Sequence, residues 1–256
     1  MRRRSFIGGG MAAILASRRA PAFCLALRNG MVRQSAPPTP PLPYDAEVEY
    51  LQSDGTAYIN TGIPLFGVAF NSVDFIAETD VSVQDDGSVL QTEGMVFCFG
   101  PSLTQRAGLS LITNSGGVVM SGFLYGASAV AQLENVPDGE FVHVVIDYKS
   151  SAGTIICSVD GTVKYQDTSF SNTATIGNCN LLAFARVRMA STATSPTINV
   201  SNLSRIRTFK FISQMGSCDL RAVRKDGVGL MYDSISGQLL GNAAGTGALT
   251  IGPDKS

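Results

Sequence analysis

From Phe141 to Tyr148 every even position is apolar, Val142, Val144, Ile146 and Tyr148, while His143 and Asp147 stand at odd positions. Period two of this kind predicts a strand with one face on a core. Two further runs follow, Ile155-Ile156-Cys157-Ser158-Val159 and Thr162-Val163-Lys164-Tyr165, separated only by Asp160-Gly161. Asp-Gly supplies the positive φ angles of a tight hairpin, so residues 139 to 168 predict three consecutive antiparallel strands. Upstream, Val73, Phe75, Ala77, Thr79, Val81 and Val83 oppose Asp74, Glu78, Asp80 and Ser82, with Ile76 as the exception. That pattern predicts a strand with one wet face. Met95 to Phe99, Leu109 to Thr113, Gly117 to Phe123, Asn180 to Arg186 and Arg205 to Ile212 predict further strands, each bounded by Gly, Ser, Asn or Pro. The longest helical expectation is one short turn within Ser128 to Val136. Short strands at this spacing predict an all-β fold, an antiparallel β-sandwich.

Composition adds an address. The chain carries 19 Lys and Arg against 20 Asp and Glu, but seven Arg and no acid fall in residues 1 to 33. The remainder holds 12 basic and 20 acidic residues, a net charge of −8. A domain that acidic lacks an electrostatic footprint for phosphate backbones, which argues against a nucleic-acid partner. Arg3-Arg4-Ser5-Phe6-Ile7 resembles a twin-arginine export signature, followed by a weakly apolar run, Gly8 to Ala16, and an Ala20-Pro21-Ala22 cleavage site. About ten apolar residues are too few for a membrane span, which takes roughly 20. Residues 1–33 are therefore read as export signal and basic segment, and the expected location is periplasmic, cell-surface or secreted. Cys24 suggests a lipid anchor, but Phe23 departs from the small residue that a lipobox places there. Residues 34–43, QSAPPTPPLP, form a Pro-rich linker with a polyproline reach of about 30 Å. Residues 44–256 are expected to be the folded domain. Cys98, Cys157, Cys179 and Cys218 remain for disulfides in three pairings, or as buried thiols in apolar strands.

The order Phe141-x-His143, a strand ended by Tyr148, a Ser/Gly turn, and Val159-Asp160-Gly161 resembles the core hairpins of laminin G-like, concanavalin A-like jelly rolls. Phe141 stands where that family usually has Trp. The opening Val48-Glu49-Tyr50-Leu51-Gln52-Ser53-Asp54-Gly55-Thr56-Ala57-Tyr58-Ile59-Asn60-Thr61-Gly62 is similar to the start of laminin G-like domains in bacterial and phage-associated proteins. Arg205 to Phe211 looks like the family's closing strand. The tail from Asp219 to Gly252, with turns at Asp226-Gly227 and Ser236-Gly237, is similar to the segment found with that opening. The resemblance implies a jelly roll over most of residues 47 to 252, and it implies His143 as part of a structural hairpin signature.

Candidate chemistry is sparse. Glu78-Thr79-Asp80 starts the Glu-x-Asp-x-(x)-Glu array of laminarinase-type hydrolases, yet Ser82 or Val83 stands where the second Glu belongs. Retaining hydrolysis needs two carboxyl groups about 5 to 5.5 Å apart, so the set is incomplete and no enzyme is expected. His143 has no Ser, Cys or carboxylate placed by motif to form a triad. The resemblance suggests calcium at Asp85 and Asp86, where a polar interstrand loop reads equally well. A glycan site on such a fold would use aromatic stacking and amide hydrogen bonds, for which Tyr58, Asn60, Tyr125 and Tyr232 are candidates. No other cofactor is implied. The leading expectation is an exported non-catalytic module that binds a glycan or a surface protein. A structural role in a surface or phage-derived fibre is the alternative, and a divergent glycoside hydrolase the third reading.

Overall fold

The alternation in residues 141 to 149 is realised residue by residue: Val142, Val144, Ile146 and Tyr148 are buried and their odd neighbours are not. The computed structural model describes residues 41–65, 72–83, 93–102, 105–114, 117–124, 132–136, 139–170, 180–188, 197–200 and 204–256. Strands are numbered in chain order among these residues. Eleven form the larger sheet: β1 (Ala46–Glu47), β2 (Leu51–Ser53), β4 (Phe75–Val83), β9 (Phe141–Lys149), β10 (Thr154–Val159), β11 (Thr162–Asp167), β15 (Ser204–Ser213), β16 (Gly216–Lys225), β17 (Val228–Asp233), β18 (Leu239–Leu240) and β19 (Leu249–Ile251). The main path runs β11-β10-β9-β4-β15-β16-β17-β18, with β1 beside β16 and β2 between β15 and β19. The smaller sheet follows the order β3 (Ile59–Pro64), β12 (Asn180–Ala183), β5 (Glu93–Ser102), β6 (Gln105–Asn114), β7 (Gly117–Leu124) and β8 (Gln132–Val136). β13 (Ala185–Arg188) and β14 (Thr197–Val200) make a separate ribbon.

The pairings are antiparallel, including the two neighbours of β4, which are β9 and β15. The result is an all-β antiparallel sandwich. Its core joins inward residues of the larger sheet, such as Phe75, Val81, Ile206, Phe209 and Leu220, to Val96, Phe97, Leu181 and Leu182 of the smaller one. Phe97 and Phe209 meet across the layers with ring centres 5.0 Å apart. A second aromatic group holds Phe75 against both Tyr148 and Phe211, each 5.5 Å away. Such pairs add about 1 kcal/mol each beyond the area they bury.

The hairpin chemistry is as expected at two turns. Asp160 and Gly161 have φ of 48° and 75°, and Asp226 and Gly227 have 51° and 76°. Both pairs adopt the left-handed geometry that tolerates Asp and favours Gly. The opening and closing strings are joined by side chains. The Asp54 carboxylate accepts Thr56 N–H at 2.8 Å, Thr56 Oγ1 at 2.7 Å, Ala57 N–H at 3.0 Å and Ala248 N–H at 2.6 Å. Asn242 accepts Tyr58 N–H at 3.2 Å and donates to the carbonyls of Thr246 and Gly247.

Three local expectations change, and the choice left open for the cysteines is decided at two of them. Residues 132–136, within the segment read as a helical turn, form β8. The run Asn180 to Arg186 is two strands, broken at Phe184, whose φ is +65°. Ser82, expected on the wet face, is fully buried. Cys157 and Cys218 are unpaired buried thiols, so neither takes part in a disulfide, and burial pushes both up to about 12. Cys98 is buried too. The export segment with Cys24, residues 34–40 of the linker, and Cys179 lie outside the described residues.

Candidate functional site

Period two leaves alternate side chains of the central strands on the face of the larger sheet that points away from the core. Register aligns five of them across five strands. His143 of β9 lies opposite Asp80 of β4, Asp80 opposite Thr208 of β15, Thr208 opposite Arg221 of β16, and Arg221 opposite Tyr232 of β17. A second row, Glu78, Lys210 and Asp219, runs beside it. Together the two rows make a polar strip on the outer face.

At one end of the row His143 stands between two carboxylates. Its Nδ1 is 2.7 Å from Asp80 Oδ1, and its Nε2 is 3.4 Å from Glu78 Oε1. Thr208 Oγ1 donates to Asp80 Oδ2 at 2.9 Å and accepts Asp80 N–H at 3.3 Å. Lys210 Nζ lies 3.6 Å from Glu78 Oε2. The backbone of His143 is fixed as well, donating N–H to Asp160 Oδ1 at 2.9 Å and accepting Asp160 N–H at 2.8 Å. Side-chain exposures of 40% for His143, 35% for Glu78 and 29% for Asp80 keep each of these contacts to about 0 to 1 kcal/mol. The cluster fixes orientation more than it stabilises the fold. Glu78 and Asp80 do share a face, as alternation predicts, but both are turned to the same imidazole. Ser82, where a further carboxylate would extend the set, is buried. The described partners of the imidazole are these two acids.

At the other end Glu47 gathers three partners. Arg221 Nη1 donates to its Oε1 at 2.9 Å, Tyr44 O–H donates to the same oxygen at 3.1 Å, and Lys255 Nζ lies 3.7 Å from Oε2. Burial alone would raise the Glu47 carboxyl, but the Arg221 and Tyr44 hydrogen bonds outweigh it and the pKa falls. Burial, with the bond to Glu47, raises the Tyr44 hydroxyl. Tyr44 and Tyr232 rings pack at 5.1 Å, with Tyr44 buried and Tyr232 half-buried beside these charges.

The residues expected to bind glycan are divided between the sheets. Tyr232 joins the polar row. Tyr58 and Asn60 lie at the β3 edge of the smaller sheet, where Asn60 Oδ1 accepts Gly62 N–H and Asn180 Nδ2, both at 2.9 Å. Tyr58 packs half-buried against the core. Tyr125, Asp85 and Asp86 lie outside the described residues. Thr208, Lys210, Arg221, Tyr44 and Glu47 were not expected from sequence, because only register between distant strands assembles them. A cleft of about 180 Å³ between Asp74, Phe75, Ile76, Lys149, Ile212, Ser213 and Gln214 is a weaker candidate. Its polar groups are already engaged, Asp74 with Ser150 and Gln214 with Asp74 and Ser72.

No protein-family model matches the chain, and no curated protein matches it in sequence. Solved structures do match its fold. A heptameric SAP-like pentraxin from Limulus polyphemus aligns with TM-score 0.50 at 10% identity, over 82% of this chain and 97% of the pentraxin. A putative carbohydrate binding protein from Bacteroides ovatus aligns with TM-score 0.50 at 9% identity, over 82% of this chain and 61% of that one, so this chain spans about three fifths of its length. Among the described residues no helix is long and apolar enough to cross a membrane. Strand content, antiparallel pairing and these likenesses together establish a jelly-roll β-sandwich.

Proposed function

We propose that residues 44–256 form a non-catalytic module that binds a glycan, carried by an exported chain. The observation that supports it best is the polar row His143-Asp80-Thr208-Arg221-Tyr232, which offers hydroxyl, carboxylate, guanidinium and aromatic groups on the outer face of a jelly roll. Sugar recognition takes that mixture: directional donors and acceptors for hydroxyls, and a ring edge for the apolar sugar face. The fold-level likeness to a protein described as carbohydrate binding points the same way, by analogy.

A glycan array with the full chain tests the reading. Binding to a defined saccharide set is expected, and Tyr232→Ala or Asp80→Ala should weaken it about tenfold, the equivalent of one lost hydrogen bond or ring contact. Flat signal across all sugars, with and without calcium, overturns glycan recognition and leaves a structural or assembly role. Activity on β-glucans that disappears in Glu78→Gln overturns the non-catalytic assignment.

A further inference from the structure

One step along the outer face from the polar row, on the side away from Glu78 and Lys210, a third row runs Phe141, Ser82, Arg205 and Gln52, each opposite the next. Four side chains stack along it. The Arg205 guanidinium lies 4.5 Å from the Tyr50 ring centre, Tyr50 and Phe141 ring centres are 6.2 Å apart, and the Arg207 guanidinium lies 4.1 Å from the Phe141 ring centre. The ladder shifts register between Ile206 and Thr208, which leaves Arg207 between two paired residues. Ser82, flanked in register by Phe141 and Arg205, is fully buried, and its hydroxyl has no hydrogen-bond partner among the described residues. The stack therefore excludes water from this part of the sheet.

The two guanidinium groups are not equivalent. Arg207 is committed, with Nη2 2.7 Å from Glu49 Oε2 and Nε donating to the Glu49 carbonyl at 3.2 Å. Arg205 donates Nε to the Gln52 side-chain oxygen at 3.0 Å and has no carboxylate partner among the described residues. Its charge is held on an aromatic ring, in a chain whose residues after 33 carry a net −8. A fixed guanidinium fork beside a dry surface suits an oxyanion with two acceptors, which it can bind in parallel, and the pre-stacked geometry lowers the ordering entropy of binding.

We propose that Tyr50, Phe141, Arg205 and Arg207 form the subsite for an acidic sugar of the bound glycan, with Arg205 taking the sugar carboxylate. This rests on the glycan-binding reading above and specifies its ligand class as uronate-bearing. The Tyr50 ring lies under the fork, and the Phe141 ring, 6.2 Å from it, carries Arg207 beside the path of the sugar.

Calorimetric titration of the full chain with an oligogalacturonate, a sulfated oligosaccharide, a neutral β-glucan and an oligoglutamate peptide tests the assignment. The uronide should bind best and lose affinity as salt rises from 50 to 500 mM. Arg205→Ala should weaken it at least tenfold, as a charge-assisted bidentate contact requires. Arg205→Lys keeps the charge without the fork and should restore only part. Gln52→Glu sets a carboxylate on Arg205 without removing it, and should abolish uronide binding while the thermal midpoint stays within a few degrees. Equal affinity for neutral and acidic sugars, or Gln52→Glu binding like the native chain, overturns the subsite and leaves the glycan reading intact. A sulfated sugar preferred over the uronide overturns the carboxylate assignment. Oligoglutamate binding as tightly as the uronide overturns the sugar. No binding to any saccharide overturns both proposals.

Discussion

Asp54 uses both carboxylate oxygens to hold two ends of the domain together, accepting from Thr56, Ala57 and Ala248. The Thr56 hydroxyl is the largest influence on its pKa, followed by the backbone N–H of Ala248 and Thr56, and together they hold the carboxyl far below the ordinary value of 3.8. The loop it grips requires Gly247 twice over. Its φ is +75°, and a Cβ built there would overlap Thr56 Oγ1 and come within 2.7 Å of Asp54 Oδ2. Asp54→Ala should therefore lower stability by about 1 to 2 kcal/mol, less than a buried charged hydrogen bond because water reaches the freed N–H groups. Gly247→Ala should cost at least as much, since the left-handed backbone alone costs about 1 to 2 kcal/mol. Denaturant midpoints of the two variants check this, and a Gly247→Ala midpoint equal to the native one would contradict the clash. Both residues stood inside strings legible as family-like, but their partnership did not, because nearly two hundred positions separate them.

Element boundaries were legible where alternation was clean and illegible where one residue changed the phase. In β9 the alternation held from end to end. In β15 the buried residues are Ser204, Ile206, Phe209 and Phe211, so the parity changes after Ile206. The sequence carries that change in Ile206-Arg207-Thr208-Phe209, two apolar residues three apart, which a strict period-two reading passes over. β12 and β13 break for a reason that composition hides. Phe184 is fully buried with φ +65°, and its N–H reaches the Val96 carbonyl at 2.9 Å. A bulky side chain at positive φ is rare, so nothing local announces it. The ring is held by the core at the expense of the backbone. Phe184→Ala should destabilise by about 3 to 5 kcal/mol. Phe184→Gly, which loses the same ring but relaxes the backbone, should be the milder change by about 1 kcal/mol. Gly usually ranks below Ala within regular structure, so an Ala variant more stable than the Gly variant would show that no strain resides there.

Across the whole molecule, carboxylates with lowered pKa sit at several seams: Asp54 where opening meets tail, Asp74 at the Ser150 turn, Glu47 between β1 and β16, and Asp233 at the end of β17. For Asp233 burial pushes upward, but the Asp219 N–H, the Ser236 hydroxyl and the N–H groups of Ile235 and Ser236 outweigh it. At Asp74 the Ser150 hydroxyl and N–H do the same with little burial to oppose them. A carboxylate whose folded pKa lies below its unfolded value binds fewer protons in the native state, so the stability it contributes is full above the unfolded value. It is lost as pH falls through the folded one. With ordinary values of 3.8 for Asp and 4.5 for Glu, stability should be flat above about pH 5 and decline progressively below about pH 4. Self-repulsion in an acidic domain runs the other way, easing as acids are protonated, but at physiological salt charges more than about 8 Å apart are largely screened. The short hydrogen bonds at the seams are screened far less, so they set the sign. Thermal midpoints measured from pH 7 to pH 2 should follow this decline, and Asp54→Asn combined with Asp233→Asn should flatten it while lowering the neutral-pH plateau. A midpoint that rises on acidification would show that repulsion, rather than these seams, governs the balance.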